Sequence, residues 1–280
     1  MKSGILIAAI AALLVFLCGC VAAVPAGAVV RLDETVAVQE NQRIAIDVNT
    51  GRVTIHGDDS DRMEIRGQIP FPEQTTYQIS ESAGQITLSG AYRKPWFSSP
   101  SLAPIELDIS VPHGTVLQFD GFDAEVIITD FSGTAVISSA AGDIQADHLA
   151  GDISLRSGRG DVSLGHSSGE LRVLGEHGTL AVFESHGAIG MSSIMGTLDF
   201  KGTIHADDDV HLEVDHGPVQ VQLGPASDVA LAAASTSGDV ACRLPQRTFT
   251  NWGCTAELGA ANGRLDIRTV SGPINIQLSP

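Results

Sequence analysis

The 280-residue sequence predicts an all-β protein: a parallel β-solenoid (β-helix-like) with nine-residue half-coils and an N-terminal β cap. Three observations predict it. Glycine returns every nine residues, at Gly133, Gly142, Gly151, Gly160, Gly169, Gly178, Gly187 and Gly196. An apolar residue stands two positions after each glycine (Ile144, Ile153, Val162, Leu171) and another four positions after (Ala146, Leu155, Leu164, Val173). Composition agrees: 43% of residues are apolar, enough for a core, but only 5% are aromatic and 30 are glycine, which suits a β repeat better than a helical bundle.

The physical reading of the repeat is direct. Apolar–x–apolar is a short strand with one buried face, and the Gly- and Ser-rich residues between such strands turn the chain. Glycine recurs where the corner needs a backbone conformation that a side chain would hinder. Nine residues span only about 30 Å, too little to close a ring around a core. Two units therefore form an 18-residue coil with two facing strands, and stacked coils make parallel sheets. The nine-residue calcium roll has three glycines per unit and a regular aspartate. Here there is one glycine, followed by Asp143, Asp152 and Asp161 and then by Glu170 and Thr179, so that cradle is not expected.

The elements follow in order. Residues 1–28 read as an export signal or membrane anchor: Lys2 is the only charge before Arg31, and residues 5–17 are an unbroken apolar run. Three fates fit. Leu17-Cys18-Gly19-Cys20 resembles a lipobox that would lipidate Cys20; Ala26-Gly27-Ala28 resembles a signal-peptidase site; and residues 5–24 are long enough to span a bilayer uncleaved. Each places the rest of the chain outside the cytoplasm, attached to a membrane in the first and third cases.

Residues 29–120 contain alternating strands and form the N-terminal β region or cap, with the turn-rich segment 91–104 as its longest break. Residues 121–204 carry the regular repeat. Over residues 205–280 the same Gly-led strands recur at Gly217, Gly238, Gly263 and Gly272, at spacings that suggest wider coils with longer loops. One such loop holds Cys242 and Cys254, with a proline and Trp252 between them, a disulfide candidate in an oxidising compartment.

The opening Gly51-x-Val53-x-Ile55, the strand ending at Val111-Pro112 before Gly114-Thr115, and the Gly-Asp-Ile steps that follow resemble a bacterial envelope family of candidate adhesins with β-strand repeats. The resemblance covers about residues 35–280. It implies a parallel β-solenoid, often joined to a membrane segment, and no catalytic residues. The possible lipobox and the cysteine pair depart from the family pattern.

Charge and motifs narrow the function. The net charge of −17 disfavours nucleic acid and anionic bilayers as partners. No ordered nucleophile–base set, phosphate loop or dinucleotide fingerprint stands in a credible context, so no catalytic residue, cofactor or metal site is assigned. His148 and His166 are 18 residues apart and would stack, as would Asp143 and Asp161, which should face water or hold cations weakly. His205, His211 and His216 lie near Asp207–Asp209 without compact ligand spacing. Tyr92, Trp96 and Phe97, beside Arg93 and Lys94, form the most aromatic loop and are the contact-loop candidates for an envelope protein or glycan partner. The expected function is non-enzymatic: an adhesin-like surface for adhesion or protein interaction. A binding or sensing module in envelope homeostasis is the alternative, and a carbohydrate-active enzyme a remote third.

Overall fold

The computed structural model describes residues 29–39, 41–70, 72–93 and 105–279. Cys20, the whole 1–28 segment, Trp96 and Phe97 lie outside the described residues. Regular structure among the described residues is entirely strand, and none of it is a helix long and apolar enough to cross a membrane.

Six strands open the chain: β1 (Val29–Ala37), β2 (Arg43–Asp58), β3 (Arg62–Pro70), β4 (Thr75–Ser82), β5 (Gln85–Tyr92) and β6 (Glu106–Pro112). Seven more fill the middle: β7 (Val116–Thr129), β8 (Ser132–Ser139), β9 (Ile144–Asp147), β10 (Ala150–Ser157), β11 (Val162–Gly165), β12 (Ser168–Phe183) and β13 (His186–Gly202). The last eight are β14 (Asp209–His216), β15 (Val219–Leu223), β16 (Val229–Ser235), β17 (Val240–Arg243), β18 (Arg247–Phe249), β19 (Gly253–Leu258), β20 (Gly263–Ser271) and β21 (Ile274–Leu278).

In the middle, each strand pairs in parallel with the strand two nine-residue units later. On one face Ala135 pairs with Ile153 and Ile153 with Leu171; on the other Ile144 pairs with Val162 and Val162 with Leu180. β7, β12 and β13 run through the corner and contribute to both faces. The inward side chains Leu155, Leu164, Val173 and Val182 are buried and belong to one continuous core running from Val38 to Ile276. Each such side chain taken from water stabilises the fold by about 1.5–3 kcal/mol.

The glycine beat has a steric cause. Gly151 and Gly169 sit at φ +125° and +120°, and a Cβ on Gly169 would fall against the carbonyl oxygen of Gly151, one rung below. Stacking at strand-pair distance leaves no room for a side chain there. The repeated carboxylates have a related role. Asp143 Oδ1 accepts the backbone N–H of Asp161 at 2.8 Å, and Asp161 Oδ1 accepts that of Thr179 at 2.7 Å. The aspartates therefore do not merely face water; each satisfies an N–H of the next rung.

Both ends depart from sequence order. β2 is a whole rung in one strand, and its residues 50–56 pair with 123–129 of β7. Outside β2 lies a rung that comes later in the chain, with β5 parallel to one half of β2 and β6 parallel to the other. Antiparallel strands then follow: β4 on β5, β3 on β6 and β1 on β3. At the far end the order is again exchanged. The final strands β20 and β21 lie directly on β14 and β15, and the earlier β16 and β17 lie outside them. β19 pairs antiparallel with β16, and β18 with β19. The wider coils expected over 205–280 are thus rungs of ordinary width. Their irregular spacing comes from the exchanged order and from an antiparallel excursion between them.

Candidate functional site

Two places among the described residues stand out for the side chains they bring together. The first is a corner column. Asp130, His148, His166 and Glu184 follow one another up the stack at the same corner, and all four hold positive φ, between 45° and 56°. Each donates its backbone N–H to the next rung: Asp130 to Asp147 O, His148 to Gly165 O, His166 to Phe183 O and Glu184 to Lys201 O. The left-handed conformation ends one strand and starts the next, and Asp and His tolerate it better than most residues. The rungs therefore hold the two imidazoles in register, with ring centroids 5.0 Å apart and 18° between planes.

Asp147 completes the group. Its Oδ2 lies 2.9 Å from His148 Nδ1 and its Oδ1 2.7 Å from His166 Nδ1. Gly165, between Asp147 and Phe183 in the neighbouring column, makes this possible: a Cβ there would meet the Phe183 ring and Asp147 Oδ1. Phe183 meets His166 edge-on, centroids 5.4 Å apart. Partial burial pushes the Asp147 carboxyl up, but hydrogen bonds and charge from His166 and His148 outweigh it and hold the group below the usual carboxylate range. The spacing of 18 in the sequence stacks the histidines. Asp147 carried no signal, because its role depends on a glycine one rung above it.

The second place is the hairpin at the exchanged far end. Cys242 and Cys254 are buried and joined as a disulfide, with Cα atoms 6.6 Å apart. The bond ties β17 on one face to β19 on the other. Beyond it project Phe249, 56% exposed, and Trp252, 67% exposed. Arg247 places its guanidinium 5.7 Å from the Phe249 ring centroid. Trp252 borders a groove of about 390 Å³ with Val214, Ala234, Thr236, Arg268 and Val270. Glu213 and Asp215 also line it, so the groove combines apolar, charged and hydroxyl side chains.

Tyr92, the one contact-loop candidate among the described residues, lies toward the opposite end. Tyr92 is half-buried against the core, and Asn49 brackets its backbone: Oδ1 accepts its N–H at 2.8 Å and Nδ2 donates to its carbonyl at 2.9 Å. It is a packing residue at the end of β5. A larger cleft of about 670 Å³ near β1 is lined by Arg31, Arg52 and Arg66. Arg52 pairs with Glu125 at 2.8 Å and Arg66 with Glu64 at 2.7 Å, so two of these three arginines are already engaged in ion pairs. Such exposed pairs add little stability. His186 and His205 also meet, centroids 4.6 Å apart. The nearby Asp208 carboxylate is already committed, accepting the N–H groups of Gly187 and His205.

Comparison with known proteins adds the family. No curated protein matches the sequence. Among solved structures, a candidate adhesin from Bacteroides fragilis is similar over 88% of this chain and 96% of its own, at 14% identity and TM-score 0.49. A candidate adhesin from Parabacteroides distasonis is similar over 90% and 98%, at 8% identity and TM-score 0.43. A candidate cell adhesion protein from Clostridium sporogenes is similar over 89% and 100%, at 13% identity and TM-score 0.35. The model of the Toastrack DUF4097 family matches residues 41–277, nearly the whole described stack, and the chain belongs to that family.

Proposed function

We propose that this chain is a non-enzymatic, membrane-attached protein of the bacterial cell envelope, adhesin-like in type. In this reading the stack is a parallel β-solenoid whose antiparallel strands cap both ends, and its surface serves adhesion or protein interaction. One observation carries the reading. β1 follows directly on the apolar N-terminal segment and pairs at the first end, whereas Trp252 and Phe249 project at the last. Along the pairing order β1, β3, β6, β2, β7, β9, β11, β12, β13, β15, β21, β17, a spacing of about 4.8 Å per strand separates the two ends by about 50 Å. An anchor at one end would hold the aromatic groove at the other away from the bilayer, where a partner can reach it. Exposed tryptophan beside arginine is a common anchor of protein interfaces.

Site-specific photocrosslinking in cells tests this. A crosslinker at position 252 is expected to capture a discrete partner, and one at position 80 on β4 is not. Trp252→Ala with Phe249→Ala should abolish that adduct, crosslinked from position 270, without changing the melting temperature. A capture pattern identical at both ends would overturn the assignment of the distal groove. Lipid labelling that disappears in Cys20→Ala would identify the anchor as a lipoprotein; its absence leaves the signal-peptidase and uncleaved alternatives.

A further inference from the structure

We propose that Asp147, His148 and His166 form a binding site for a divalent first-row transition metal, with Zn²⁺ as the probe ion. The three side chains can each offer one ligand atom, and these atoms lie within 4.8 Å of one another. Two imidazole nitrogens and one carboxylate oxygen are a common zinc donor set, completed by water in an open position.

The arrangement is built rather than incidental. The two histidines come from successive rungs, and the parallel register fixes their spacing. Both occupy the left-handed backbone region, so the rings leave the stack in the same direction and lie nearly parallel. Gly165 provides the space through which Asp147 reaches the upper histidine, and Phe183 walls its far side. Asp130 below and Glu184 above stand at the same corner, adding negative charge to a chain that already carries −17.

The short contacts fit the exchange of a proton for a metal. Asp147 now accepts an N–H from Nδ1 of each imidazole, at 2.9 and 2.7 Å. A zinc ion about 2.0–2.2 Å from each donor needs N···O separations only a few tenths of an ångström longer. A neutral imidazole then carries its proton at Nε2 and offers the Nδ1 lone pair; an imidazolium releases one proton to solvent. The ion would join two rungs at a corner already bridged by the backbone bond from His148 N–H to Gly165 O and by the Asp147–His166 contact.

The test is a Zn²⁺ titration of the full chain in mild detergent by isothermal calorimetry, with ¹⁵N NMR of the histidine side chains. One equivalent of Zn²⁺ is expected to bind and to shift Nδ1 of His148 and His166. His148→Asn, His166→Asn and Asp147→Asn should each weaken binding roughly tenfold or more. Asparagine tolerates positive φ, so the histidine variants keep the corner, and circular dichroism verifies the fold. His177→Asn is expected to bind as the parent does. No saturable binding, or binding that survives both His148→Asn and His166→Asn in folded protein, would overturn the site.

Discussion

The middle of the stack and its two ends use the same strand and the same buried apolar pairs, yet they are connected differently. In the middle, neighbours in space are 18 residues apart in sequence. At the first end Arg52 meets Glu125, 73 residues away, and at the last His216 meets Ser271, 55 away. The middle is a local structure repeated, whereas each end closes a long loop to set one rung and adds antiparallel strands outside it. Closing the longer loops costs more chain entropy, though the cost grows only logarithmically with length. The ends therefore need fixings of their own, and the disulfide and the Asp228–Asn262 contact are two of them.

The largest contrast should come from glycine. Gly169→Val in the middle must take φ +120° and place Cβ against the Gly151 carbonyl, with no flexible side chain to give way. We expect a loss of about 3 kcal/mol or more, or failure to fold. Gly84, in the hairpin between β4 and β5, has φ +78° but open space around it. Gly84→Ala should cost only about 1–2 kcal/mol, the price of the left-handed backbone alone. Thermal melts of the two variants measure the contrast. Equal losses would remove the claim that rung-to-rung sterics, rather than turn conformation, dictate the glycine beat.

Removing the disulfide comes next. Cys242→Ser with Cys254→Ser frees a short loop and should cost about 2–4 kcal/mol. Hydrogen exchange is expected to localise the loss: amides of β16–β19 lose protection, while those of β8, β10 and β12 keep it. Uniform loss over the whole stack would mean that middle and end unfold as one unit, and the comparison would lose its thermodynamic content.

This division also decides what could be read from the sequence. The nine-residue beat and its apolar pairs were legible because every repeat meets the same neighbour at the same distance. Gly217 breaks the beat because residues 203–208 lengthen one turn, and Gly263 breaks it because its rung slips inward past Val229. Neither event leaves a pattern in the intervening residues. The candidate site divides in the same way. His148 and His166 are visible by spacing, but Asp147 joins them only through the gap left at Gly165. Trp252 was visible as a tryptophan between two cysteines, though not as the exposed margin of a groove whose other residues come from three strands and the Thr236 turn.

A smaller effect tests the carboxylate ladder. Asp161→Ala removes the acceptor for the Thr179 N–H while leaving the core untouched. The bond is solvent-exposed, so water can replace it, and the loss should be about 1 kcal/mol. No change in melting temperature would make the ladder a consequence of stacking rather than a contributor to it.

The smallest effect probes the exchanged end through pH. Asp228 Oδ2 accepts Asn262 Nδ2 at 3.0 Å and Oδ1 accepts the Asn262 backbone N–H at 3.2 Å, where β20 enters beside β16. The Asn262 side chain is the main cause that holds the Asp228 carboxyl below its ordinary value, helped by backbone N–H groups nearby. A carboxyl whose folded pKa lies below its unfolded pKa contributes stability that is fully present above the unfolded value and is lost as pH falls through the folded one. The parent should therefore lose more melting temperature on acidification than Asn262→Ala, which keeps the backbone hydrogen bond to Oδ1 but has lost the side-chain bond to Oδ2. The two acid limbs should converge below the carboxylate range and separate above it. If they instead run parallel from neutral pH to acid, the contact does not depend on the Asp228 charge, and the exchanged rung is held by its core side chains alone.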